Sequence, residues 1–133
     1  MDSITVDANG MEWASGTPLF GPGCNYEGRD LVQLKVLSDR RQQGGGVAYL
    51  MRFVPPPGKV IKIIAVARSD EHAFSLKGGR GTTHGEQLRF PGSYWLNPKG
   101  KVHSAVIGTE TTALVVYTGA PDEVRSIEVV EPA

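Results

Sequence analysis

The sequence holds one cysteine, Cys24, in 133 residues. A lone thiol forms no internal disulfide, so a reducing setting, the cytoplasm, is expected. Net charge is also missing: 14 Lys and Arg balance 14 Asp and Glu. A chain without charge excess has no electrostatic attraction for nucleic acid or for an anionic membrane surface. The longest aliphatic runs, Ile63–Ala67 and Ala113–Tyr117, are far shorter than the roughly 20 residues of a membrane-spanning helix. The first ten residues, MDSITVDANG, lack the basic start and apolar centre of a secretory signal. No P-loop, GxGxxG or nucleophile-elbow sequence occurs. Cys24 sits in a glycine-proline loop with no histidine nearby, which argues against a thiol nucleophile. The length fits one domain, residues 1–133.

A helical period is absent as well, and what stands in its place is a rhythm of short strands. Val32, Leu34 and Val36 alternate with Gln33 and Lys35, the pattern of a half-buried strand. Further strands are expected over 47–54, 60–67, 72–76, 87–90, 93–96, 102–107, 113–117 and 124–130, parted by glycine and proline turns. Pro55-Pro56-Pro57-Gly58 must be a turn, because proline donates no ladder hydrogen bond. Nine or ten short strands about ten residues apart predict an all-β sandwich or barrel. Residues 1–28 have no period. Trp13, Leu19, Phe20 and Tyr26 in that stretch are spaced like anchors of an N-terminal arm laid over a barrel or over a partner subunit.

Two central stretches carry motifs. Gly58, Glu71 and Gly78 fall at the spacing of G-x5-H-x-H-x4-E-x6-G, and Gly92, Pro98, Gly100 and His103 at that of G-x5-P-x-G-x2-H. The pair resembles the two motifs of the cupin superfamily, over about Asp30 to Tyr117. The resemblance implies a cupin-type jelly-roll β-barrel and a homodimer. It also implies an inner wall carrying Glu71 and His103. Ile64 and Val66 stand where the motif has two histidines, and the motif's closing Asn is missing.

A catalytic metal needs about three protein ligands. Glu71 and His103 are two, and His72, next to Glu71, should face outward. His84 is expected at a hairpin tip over Thr82–Glu86. The expectation is therefore no metal and no cofactor, with Glu71 and His103 as an acid–base pair in an apolar cavity. Lys62 shares a face with Ile64 and Val66, the inner face in the cupin frame. Tyr49, Met51, Ser75 and Trp95, with Tyr94, are the further candidates for the wall that holds a small-molecule substrate. The function expected is metal-independent isomerisation, cyclisation, hydration or elimination on a carbonyl or aromatic compound. Two alternatives stand beside it: a metal-dependent cupin dioxygenase with an unexpected third ligand, and a ligand-binding cupin without chemistry.

Overall fold

The computed structural model describes residues 2–79 and 90–132, and among these all long-range pairing is antiparallel. The strands are β1 (Ala14–Ser15), β2 (Asn25–Tyr26), β3 (Arg29–Asp30), β4 (Val32–Asp39), β5 (Val47–Phe53) and β6 (Val60–Val66). They continue with β7 (Glu71–Lys77), β8 (Tyr94–Asn97), β9 (Val102–Ile107), β10 (Thr111–Tyr117) and β11 (Glu123–Val130). Among the described residues, helix is confined to one turn, α1 (Thr17–Phe20), and three 3-10 turns.

Six strands form one sheet in the order β1-β4-β5-β10-β7-β8, and three form the facing sheet, β11-β6-β9. This crossing of sequence order between two antiparallel sheets is a jelly roll. The inner faces follow from period two. Tyr49, Met51 and Phe53 of β5, Ala113, Val115 and Tyr117 of β10, and Ile61 and Ile63 of β6 are buried together. Ile61 and Ile107 are fully buried, and each such side chain contributes about 1.5–3 kcal/mol relative to exposure.

The arm packs on its own chain. β1 pairs with β4, and the Trp13 ring lies 4.6 Å from Lys35 Nζ and 4.4 Å from the Arg52 guanidinium carbon. Covered in this way, Lys35 is buried and donates a 2.7 Å hydrogen bond to the Ala8 carbonyl. Simple alternation misses this, since it puts Lys35 in water. Val36 is exposed instead, beside a register shift between Val36 and Ser38.

One end of the barrel is knitted from three turns. The Arg68 Nε donates to the Pro121 carbonyl at 2.8 Å and the Ser69 Oγ to the Ala120 carbonyl at 2.8 Å. The Lys99 amide donates to Asp70 Oδ1, and the Gly100 amide to the Ala67 carbonyl. The sharp bend after Pro98 needs Gly100 at φ +89°, a left-handed conformation that glycine adopts without strain. These bonds fix the starts of β7, β9 and β11 side by side.

The strand expected over 87–90 and the hairpin tip over Thr82–Glu86 with His84 lie outside the described residues, apart from Phe90, which is exposed and in no strand.

Candidate functional site

Each of those three strand starts delivers a titratable side chain inward. Glu71 opens β7, in register with Tyr117 on one side and Asn97 on the other. Asn97 Nδ2 donates to Glu71 Oε1 at 2.8 Å, which fixes one carboxylate oxygen. His103 is the second residue of β9 and shares its inward face with Ala105 and Ile107. Asp122 lies in the turn just before β11, held by the Arg68 and Ser69 bonds to the two preceding carbonyls.

His103, on β9, and Asp122, in the turn that leads into β11, meet over β6, the strand between β9 and β11. His103 Nε2 lies 2.7 Å from Asp122 Oδ2. This reach is possible because β6 presents small residues here: Ala65 is the register partner of both His103 and Val124. Ligand atoms of Glu71, His103 and Asp122 all lie within 4.8 Å of one another. Glu71 and Asp122 are each only 4 % exposed. Asp122 Oδ1 is buried with no hydrogen-bond partner among the described residues. Burial raises the Asp122 carboxyl above the ordinary carboxylate range, the His103 bond opposes that rise, and the neighbouring Glu71 charge adds to it.

The cluster forms the polar end of a cavity of about 40 Å³. Its walls are otherwise apolar, among them Met51, Phe53, Ile63, Ala65, Tyr117 and, from the arm, Phe20. That volume exceeds the roughly 10–15 Å³ that admits one water.

No protein-family model and no curated protein matches the chain. Solved structures do match it. A protein of unknown function with a cupin-like fold from Ralstonia eutropha superposes with a TM-score of 0.64 at 16% identity, over 90% of this chain and 74% of that one. An RmlC-like cupin protein from the same organism gives 0.62 at 12% identity, over 97% and 80%. KdgF from Halomonas sp. gives 0.58 at 15% identity, over 89% and 94%.

The chain has the cupin fold.

Within that cupin frame several expectations need correction. Ile64, Val66 and Lys62 do not face the cavity. On β6 the odd residues Ile61, Ile63 and Ala65 are buried and the even ones are half-buried on the opposite face. Both faces of this strand are apolar, so periodicity could not choose between them, and the motif count from Gly58 lands one residue away from the inward set. The inner positions that would carry the motif's histidines are filled by Ile63 and Ala65.

Of the remaining wall candidates, Met51 lines the cavity. Tyr49, Ser75 and Trp95 are buried on the inner face but lie outside the cavity lining. Tyr49 packs edge-on against Tyr117 with ring centroids 6.2 Å apart, and Ser75 serves the Gly78 turn. The motif's Gly78 is required by packing, since a Cβ there would stand 2.3 Å from the Glu110 carbonyl oxygen. His72 faces outward and bonds the exposed Tyr94 hydroxyl through Nδ1 at 2.7 Å.

Glu71 and His103 share the cavity, but the direct partner of His103 is Asp122, which sequence reasoning places only in a turn. The available signal is position. Pro121-Asp122 ends the turn at the same barrel end as the Arg68–Asp70 and Pro98–Gly100 turns.

The cupin frame implies a metal at this point, and the donor set can be tested against it. Without histidines on β6, Glu71 and His103 alone are too few. With Asp122 the set is two carboxylates and an imidazole. The residues present fit a divalent cation, with Glu71, His103 and Asp122 as its holders.

Proposed function

We propose that the cavity is the working site of a small-molecule enzyme whose chemistry is proton transfer by Glu71, His103 and Asp122. The observation that carries this reading is the gathering of two buried carboxylates and an imidazole at one end of an apolar cavity. No Lys or Arg stands among the described residues that line it. Two buried carboxyls this close resist being ionised together, and burial and the Glu71 neighbour both push the Asp122 carboxyl toward its protonated form. Groups that share protons at close range can lend one to a substrate and take one back.

In this reading the groups have distinct tasks. Asn97 holds Glu71 through Oε1, and the Glu71 carboxyl also lies within hydrogen-bond reach of Asp122. Asp122 orients the imidazole and stabilises its charged form, as a carboxylate does for a general base. The apolar wall excludes water and strengthens these interactions. A cavity of about 40 Å³ suits a compound of a few heavy atoms. A small carbonyl compound undergoing isomerisation, hydration or elimination fits this reading. An aromatic substrate, or a cyclisation of a longer chain, requires Phe20 to move aside.

The test works whatever the product is. The protein is incubated in D2O with a panel of small ketones, keto acids and hydroxy acids, and loss of the proton beside the carbonyl is followed by NMR. The reading expects catalysed exchange for at least one compound, reduced by roughly 10²–10⁴-fold in Glu71→Gln and in His103→Ala. Compounds that bind in the cavity yet show no catalysed exchange or conversion would favour a ligand-binding cupin instead.

A further inference from the structure

We infer that α1 (Thr17–Phe20) is a door over a side seam of the barrel, and that a ligand reaches the cavity there, past Phe20, and not through the end that carries Glu71, His103 and Asp122. The inference concerns access, and it holds whether the cavity does chemistry or only binds.

The seam follows from the topology. β1 and β4 form one margin of the six-stranded sheet and β11 one margin of the three-stranded sheet, and no strand pairing joins them among the described residues. The arm spans this gap. β1 pairs with β4, and the 3-10 turn Pro22–Cys24 packs on β11, where a Cβ at Gly23 would stand 3.4 Å from the Ile127 Cβ. α1 lies between these two attachments, with Leu19 and Phe20 packed against the core.

Exposure of the cavity wall follows the same line. The lining residues from β4, β5, β6, β7 and β10 are buried, whereas Phe20, Val124 and Ile127 at the seam are half-buried. The other half-buried residue of the described lining is His103, and its end of the barrel is stitched by the Arg68 and Ser69 side chains. α1 is fastened less firmly. The Leu19 and Phe20 amides bond the Gly16 carbonyl and the Gly21 amide the Thr17 carbonyl, so this turn satisfies its own backbone, and none of its residues is fully buried.

The segment is pinned at both ends and jointed near one of them. The Gly16 amide donates to the Val32 carbonyl at 2.8 Å, and a Cβ on Gly16 would stand 2.9 Å from that oxygen. Cys24 is fully buried, and its carbonyl accepts from the Leu31 amide at 2.7 Å. Between the pins, Gly21 has φ +96° and ψ 177°, a conformation that is essentially glycine's alone. A single turn with few buried contacts belongs to the part of a fold that opens locally while the strands stay closed. Displacing α1 outward carries Phe20 off the cavity and uncovers Val124 and Ile127.

The experiment labels full-length Met51→Cys protein with methyl methanethiosulfonate under native conditions. Peptide mass mapping follows the thiol on the cavity wall and separates it from Cys24. Adding Gly21→Ala strains only the closed backbone, since a Cβ there would meet no atom within 4 Å, and should speed labelling roughly tenfold. Adding Phe20→Ala should speed it as well. Adding Ser69→Ala, which loosens the polar end, should leave the rate unchanged. An unchanged rate with Gly21→Ala or with Phe20→Ala, or faster labelling with Ser69→Ala, would overturn the inference. Should Met51→Cys fail to fold, amide hydrogen exchange on the unmodified protein decides. The Leu19, Phe20 and Gly21 amides should exchange by local opening, while the Gly16 and Leu31 amides at the pins stay protected. Equal protection of all five would overturn the inference. None of these readouts uses turnover, so access past α1 and proton transfer in the cavity are tested apart.

Discussion

His103 and Asp122 form a 2.7 Å contact across a strand that belongs to neither of them. β9 supplies the imidazole, the turn before β11 supplies the carboxylate, and β6 runs between. Ala65 permits it, because a methyl group leaves the space above β6 free. Ala65→Leu should therefore separate the pair while keeping the barrel, at an overpacking cost of about 1–3 kcal/mol. A crystal structure of the variant with the contact intact would show that Ala65 is not what allows it.

The facing of β6 has its own check. Ile63 is buried against the core and lines the cavity, whereas Ile64 is half-buried on the other side. Chemical denaturation should give a loss of roughly 2–5 kcal/mol for Ile63→Ala and about 1 kcal/mol for Ile64→Ala. Equal losses, or a larger one at Ile64, would restore the facing that the motif spacing suggests.

Cys24 is fully buried, and burial, with the Asp30 carboxylate adding to it, pushes its thiol up to about 11. Native protein should resist alkylation by iodoacetamide at pH 8 and react only after unfolding. The linked stability has a definite sign. The unfolded thiol ionises first, near 9, so the contribution is whole below that pH and declines as pH rises toward about 11. Cys24→Ala should flatten the fall in stability over that window relative to the unmodified chain. An identical fall in both would remove the thiol as a cause.

Phe20 reaches the cavity from the arm, between Gly16 and Gly21. Phe20→Ala should widen the cavity and admit larger ligands. If the cavity is the substrate site, the signature is a lower KM for aromatic carbonyl compounds than the unmodified protein gives. Unchanged selectivity in the folded variant would place the entrance elsewhere.

How far the sequence can be read follows from how each feature is encoded. Strand rhythm and turn chemistry are local, so β4 to β11 are legible from alternation and from glycine and proline positions. Glu71 and His103 are legible because a motif of fixed spacing holds each beside its own turn. The inward face of β6 is not, since Ile61, Ile63, Ile64 and Val66 satisfy both faces equally. Asp122 is hidden for a different reason. Its partner is 19 residues away, and only the closure of three turns at one barrel end brings the two together. The burial of Lys35 is likewise non-local, since it depends on Trp13 folding back from the arm.

The most direct measurement on the central claim is the rate of solvent-proton exchange into a small carbonyl substrate, compared between the unmodified protein and Asp122→Asn. That substitution keeps the shape of the side chain and removes its charge. If Glu71, His103 and Asp122 work as one proton-transfer cluster, the rate should fall by roughly 10²–10⁴-fold with the fold intact by circular dichroism. An Asp122→Asn protein that exchanges at the unmodified rate would contradict the account.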